Sequence, residues 1–343
     1  MIDPREWHYP RILLAVLVGV IFISLLAGGT IATSDYSVFN AGWDGTSSIK
    51  ELAVETGGDP AVLLETTRYE DLSPNSTIAV ILSPESGYSE SERSSIRSFV
   101  EQGGTVVIAD DFRPHSNTLL ASIGARARVD GRPLRDQYAN TQNPALPRAT
   151  DVSNHTLTTN VSALALNYPS AVTPNNASVL VETSNYTYID SNANAALDET
   201  ESVRSYPVVT HENISRGHVI VVSDSSVFIN AMSEKPGNKQ FIANIISEHE
   251  TVALDYTHTG SQPPLSVALV FLRRISFFQA GLGIALCAGA GLLIRWRPQR
   301  DSTEELEIQL DETTQRALRK QAEQLRPEES NEASTNVKRE LDE

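Results

Sequence analysis

Residues 12–33, ILLAVLVGVIFISLLAGGTIAT, run for twenty-two positions without one charge. At about 1.5 Å rise per residue the run makes a helix of roughly 33 Å, enough to cross a hydrocarbon core of about 30 Å. A buried core helix would carry a polar stripe, and this run has none. The apolar region of a cleaved signal peptide reaches only about 15 residues, so the length favours an uncleaved signal anchor over a removed signal. Arg5 and Arg11 precede the run and Lys50 is the first basic residue after it, which predicts a cytoplasmic N-terminus and an external region beyond.

A second uncharged run, ISFFQAGLGIALCAGAGLLI, occupies residues 275–294 and is followed by Arg295, Arg297 and Arg300. The expected topology is a two-pass membrane protein, with residues 1–11 and an acidic, partly disordered tail, 295–343, in the cytoplasm. Residues 34–274 form the external domain. All six Asn-x-Ser/Thr sequons, at Asn75, Asn154, Asn160, Asn176, Asn185 and Asn213, fall between the two runs, as in an exported glycoprotein; an Asn- and Ser-rich region would also produce them by chance.

A formal net charge of -16 argues against nucleic acid as a partner, because that surface must be basic. Only five lysines occur, a composition similar to that of proteins from salt-in halophiles. The single cysteine, Cys287, lies in the second uncharged run, so no disulfide forms within the chain and no cysteine-rich metal site is available.

The external region alternates strand and helix signals. Residues 36–39 and 61–66 read as strands, as do TIAVIL (77–82) and TVVIA (105–109); continuous apolar runs of this length mark strands covered on both faces. Ser48 with Glu51 and Ser89 with Glu92 have capping-box spacing, and glycine pairs at 57–58 and 103–104 end the two helices. A helix follows near residues 118–123. The pattern loosens over 125–174 and resumes with strands near 178–183, 185–189 and 205–210, a last central strand at 217–223, a helix at 238–248 and one further strand at 251–254. This alternation predicts an α/β domain built on a parallel sheet.

The sharpest local motif begins at Asp190. Asp190, Asn192, Asn194, Ala196 through its carbonyl, Asp198 and Glu201 stand at positions one, three, five, seven, nine and twelve, the spacing of a calcium loop. Ala195 replaces the glycine such a loop uses for its sharp turn, and an Asn-rich hairpin connection is the competing explanation. A second set, Asn40, Asp110, Asp111, His115, Asp224 and Asn230, follows strands or turns at the sheet edge where α/β proteins bind ligands. Acids in these places also cap helices. Ser83, Ser223 and Ser225 are candidate nucleophiles and His211, His218 and His258 candidate bases, but no Gly-x-Ser-x-Gly elbow, phosphate loop or dinucleotide fingerprint is present.

The segments SVFNAGWDGTSSIKEL, FVEQGGTVVIADDF, GHVIVVSDSSVFINAMSEKPGNKQFI and LDYTHTG resemble the membrane-anchored prokaryotic family known as domain of unknown function 4350. That resemblance implies a flavodoxin-like fold similar to the class I glutamine amidotransferase-like superfamily. It also implies neighbours such as an AAA-type ATPase and a von Willebrand-like protein. Amidotransfer needs a cysteine nucleophile, which the external region lacks. The expectation is a membrane-anchored, non-enzymatic binding or scaffold protein, stabilised by calcium and engaging a protein or envelope component. The alternative is a cell-surface hydrolase using Asp110, Asp111 and His115.

Overall fold

A computed structural model describes Leu17, residues 34–259 and residues 316–321, so both uncharged runs and most of the tail lie outside the described residues. Among the described residues no helix is long and apolar enough to cross a membrane. The chain divides into two units, Met1–Ile275 and Ser276–Glu343. In the second, residues 316–321 are helical and exposed.

The first unit is built on an eight-stranded mixed sheet: β1 (Asp59–Leu63), β2 (Thr77–Leu82), β3 (Thr105–Ala109), β4 (Asp151–Val152), β5 (Ser178–Glu182), β6 (Pro207–Ile214), β7 (Gly217–Val222) and β8 (Thr251–Asp255). Their order is β1-β8-β2-β3-β7-β6-β5-β4. The first five run parallel and the last three pair antiparallel, so the sheet is mixed where alternation alone predicts a parallel one. The tight connection from β6 to β7 is the cause: residues 215–216 leave room for a hairpin, whereas a parallel crossover needs a dozen residues or more. In chain order the five parallel strands stand 1-5-2-3-4, which is the doubly wound order 2-1-3-4-5 circularly permuted, with its first strand supplied last by β8; the position equivalent to the switch point falls between β8 and β2.

Every residue of β2 and β3 is buried, because helices cover both faces. Ile78, Val80 and Leu82 pack with Ile49 and Leu52 of α1 (Ser47–Glu55) and Phe241 and Ile245 of α5 (Pro236–Ile246). Ala79 and Ile81, on the opposite face, pack with Ile96, Phe99 and Val100 of α2 (Glu90–Glu101) and Leu119 and Leu120 of α3 (His115–Ser122). The short helix α4 (Asn230–Ser233) precedes α5. Three two-stranded pairs lie outside the main sheet; they use short strands within residues 128–173 together with Thr187–Ile189.

Several expectations change. Residues 36–39 form turns instead of a strand: Tyr36 adopts φ 58° and its N–H bonds the carbonyl of Asp44 at 2.9 Å. Ser48 is not the N-cap of α1, which begins after Thr46; the amide of Ser48 is instead capped from a distant segment by Asn230 Oδ1 at 2.9 Å. The capping box of Ser89 and Glu92 on α2 is present as read. β7 is a central strand as read, but it is not the last to join the sheet: the further strand β8 inserts between β1 and β2, next to the sheet edge.

Candidate functional site

At the switch point, β8 ends in Asp255, buried and receiving the Tyr69 hydroxyl at 2.8 Å and the Thr257 hydroxyl at 2.6 Å. Burial pushes the Asp255 carboxyl up and lifts the hydroxyls of Tyr69 and Tyr88 well above their ordinary value. Three residues further on, His258 packs against Tyr88, with ring centres 4.1 Å apart and the planes tilted by 43°. Its Nδ1 lies 2.8 Å from Ser86 Oγ and its Nε2 lies 3.1 Å from Glu92 Oε1. Burial raises the Glu92 carboxyl, but hydrogen bonds from Ser89 and His258 outweigh it and hold it below its ordinary value. With Glu92 ionised, Nε2–H donates to it and Nδ1 can accept from Ser86, which is the order of a hydroxyl–imidazole–carboxylate relay.

Ser83, immediately after β2, takes φ 40°, a conformation that L residues rarely hold and that recurs at functional sites. The imidazole of His115 also approaches this edge: a Cβ built on Gly87 would stand 3.4 Å from its Nδ1. Ser86 and Glu92 carry no signal of chemistry in the sequence. Glu92 reads there only as a helix cap, and it does both jobs, with Oε2 accepting the Ser89 amide at 2.7 Å.

The acids after β3 and β7 are drawn inward. Asp110 Oδ1 accepts the amide of Asp111 at 2.8 Å, and Oδ2 accepts the Ser116 hydroxyl at 2.5 Å. Asp111 accepts the Ser225 amide at 2.5 Å and its hydroxyl at 3.1 Å. Asp224 accepts the amides of Asn167 at 2.6 Å and Ser226 at 2.8 Å. Burial raises all three carboxyls; Asp224 reaches about 7, and its charge adds to the rise at Asp111. Asn40 and Asn230 serve the backbone: Asn40 Oδ1 accepts the Gly42 amide at 2.7 Å, and Asn230 Nδ2 donates to the Gly42 carbonyl at 2.6 Å. His115 therefore lies by the Ser86 loop, while Asp110, Asp111, Asp224, Asn40 and Asn230 hold loops together.

In the loop beginning at Asp190, Ala193 and Ala195 take φ 56° and 65°, the tight path a cation loop needs. Asp190 Oδ1 and Oδ2 accept the amides of Asn194 at 3.0 Å and Ala195 at 2.9 Å. Arg135 Nε bonds Asp190 Oδ2 at 2.6 Å, while the amides of Asn192 and Asn194 donate to Asp198 at 2.8 and 3.1 Å. Burial raises the Asp190 carboxyl, but Arg135 and the two amides outweigh it and hold it below its ordinary value. The oxygens of Asp190 and Glu201 are occupied by these bonds and by the amides of Ser191 and Asp198, so a cation entering the loop would have to displace the Arg135 guanidinium. Among the described residues no three His, Cys, Asp or Glu side chains are already clustered to hold a metal.

A cavity of about 490 Å³ opens at the amino edge of the sheet, lined by His155, His211, His218 and His249 with Thr105 and Arg216. Burial, then the neighbouring His218 and His155, lowers His211 to about 4, so it is neutral near pH 7. All six sequon asparagines are exposed.

Strand order, two helical layers and a polar switch-point edge define a doubly wound α/β domain with an antiparallel extension. A family model described as Domain of unknown function (DUF4350) matches residues 38–246, and the chain belongs to that family. No curated protein matches it. Among solved structures it is similar to one described as mmIFT52 N-terminal domain, at 13% identity and TM-score 0.47, covering 63% of this chain and 92% of that one. A putative thua-like protein from Bacteroides uniformis matches at 15% identity and TM-score 0.36, covering 59% of this chain and 80% of that one. A beta-galactosidase from Bacillus circulans sp. alkalophilus matches at 15% identity and TM-score 0.30, over 50% of this chain and 21% of that one. No function passes from such distant likeness to this chain.

Proposed function

We propose that this chain is a membrane-anchored binding module, held by residues 12–33 and 275–294, whose external domain is amidotransferase-like without amidotransferase activity. One observation carries the reading: Asp110, Asp111 and Asp224, the acids an enzyme would keep free at the carboxyl edge, are buried and spent on hydrogen bonds within and between loops. The absence of cysteine from residues 34–274 supports it further. The ligand is a protein or envelope component outside the cell, and the acidic tail meets partners inside, of which an AAA-type ATPase or a von Willebrand-like protein is one kind. The Asp190 loop contributes a structural calcium site. Crosslinking and pulldown of the membrane-embedded full chain in high salt is expected to recover a stoichiometric partner. Recovery of none from either side of the membrane defeats the reading.

The Ser86–His258 and His258–Glu92 distances, 2.8 and 3.1 Å, favour a second reading, a cell-surface hydrolase. Its residues are these three, in place of Asp110, Asp111 and His115. Ser86 Oγ would attack an acyl carbonyl as its proton passes to His258 Nδ1, with Glu92 stabilising the imidazolium. Labelling by a fluorophosphonate probe, abolished in Ser86→Ala, supports this reading; an unlabelled native chain ends it.

A further inference from the structure

The amino-edge cavity lies at the other end of the sheet from the switch point, and its histidines have no part in the function proposed above. His211 on β6 and His218 on β7 belong to one antiparallel pair, in which Asn213 stands opposite His218 and His211 opposite Ile220. Asn213 and His211 are two apart along the strand, so all three side chains share one face of the sheet. His211 Nε2 lies 3.3 Å from His218 Nδ1, and Asn213 Oδ1 lies 2.9 Å from the same Nδ1. Two nitrogens bound at about 2.0–2.1 Å to one tetrahedral ion stand roughly 3.3–3.4 Å apart. The strand pairing already sets the two imidazoles near that separation.

We propose that His211 and His218 form a binding site for a late first-row divalent metal ion such as zinc. Two neutral imidazoles suit zinc, nickel and copper, whereas magnesium and calcium prefer all-oxygen sites. Asn213 Oδ1 is the nearest further donor. His155, whose ring centre is 5.4 Å from that of His211, offers a third imidazole. The protein thus supplies two nitrogens, and the remaining positions open to the cavity, where water or an exogenous ligand completes the sphere. Metal binding requires the His211 proton on Nδ1 and the His218 proton on Nε2. The metal-free pair is joined instead by a hydrogen bond through one ring proton, so binding shifts a tautomer.

The test is isothermal titration of the tag-free full chain in detergent with zinc chloride near neutral pH. One saturable site with Kd on the order of micromolar is expected. His211→Ala and His218→Ala should each weaken it roughly tenfold or more, while Glu201→Gln, in the Asp190 loop, leaves it unchanged. Circular dichroism melts of each variant confirm folding, and cobalt absorption follows the ligand set independently if an alanine variant fails to fold. No saturable zinc binding, or binding untouched by both histidine variants and lost in Glu201→Gln, overturns the proposal.

Discussion

Asp111 receives both the backbone amide of Ser225, at 2.5 Å, and its hydroxyl, at 3.1 Å, which ties the end of β3 to the end of β7 in the buried interior. Asp224, next in the chain to Ser225, is completely buried, and its charge adds to burial in raising the cost of ionising Asp111. The Asp224 carboxyl moves from 3.8 to about 7. A raised carboxyl adds stability that is fully present below its unfolded value and is lost as pH rises through its folded value. The chain should therefore lose stability from this group as pH rises from about 4 to about 7. Urea denaturation across that range should show a markedly shallower pH slope in Asp224→Asn than in the native chain. Equal slopes would refute the assignment.

Glu212 is buried on β6, and its carboxylate accepts the amides of Arg126 at 2.9 Å and Ala127 at 2.8 Å, besides Arg126 Nε at 3.2 Å. Glu212→Gln turns one acceptor into an NH2 group among donors. The loss should be about 2–3 kcal/mol, read from denaturant midpoints at constant m. A change below about 0.5 kcal/mol would mean that the carboxylate does not anchor the 125–127 turn in solution.

Asn230 caps α1 from 182 residues away through the Ser48 amide. Asn230→Ala should cost about 1–2 kcal/mol and speed hydrogen exchange at Ser48 first, since that amide loses its acceptor. Uniform exchange across α1, with Ser48 no faster than its neighbours, would contradict the cap.

Calcium at roughly tenfold excess over its Kd should raise the melting temperature by about 2–6 °C, an effect reversed by chelator and absent in Glu201→Gln. A melt insensitive to calcium and chelator would leave the Asp190 loop as a hairpin closed by its internal hydrogen bonds and Arg135.

Much of the fold was legible in the order of residues. TIAVIL and TVVIA are apolar at nearly every position, and only a strand covered on both faces calls for that; both lie in the sheet with the boundaries read from sequence. The Ser89–Glu92 capping box is equally local, since its two hydrogen bonds join residues three apart. Other features depended on tertiary structure. Nothing near residues 251–255 states that this strand enters between β1 and β2, because pairing partners are chosen by space and not by spacing. Ser86, Glu92 and His258 meet across 172 and 166 residues, and Asn230 supplies the cap that the sequence assigns to Ser48. The sequence by itself determined which segments must be buried, because burial follows from local hydrophobic period. Which polar groups meet at the edges was decided only by folding, because a hydrogen bond depends on a distance of about 3 Å and on direction, whatever the separation along the chain.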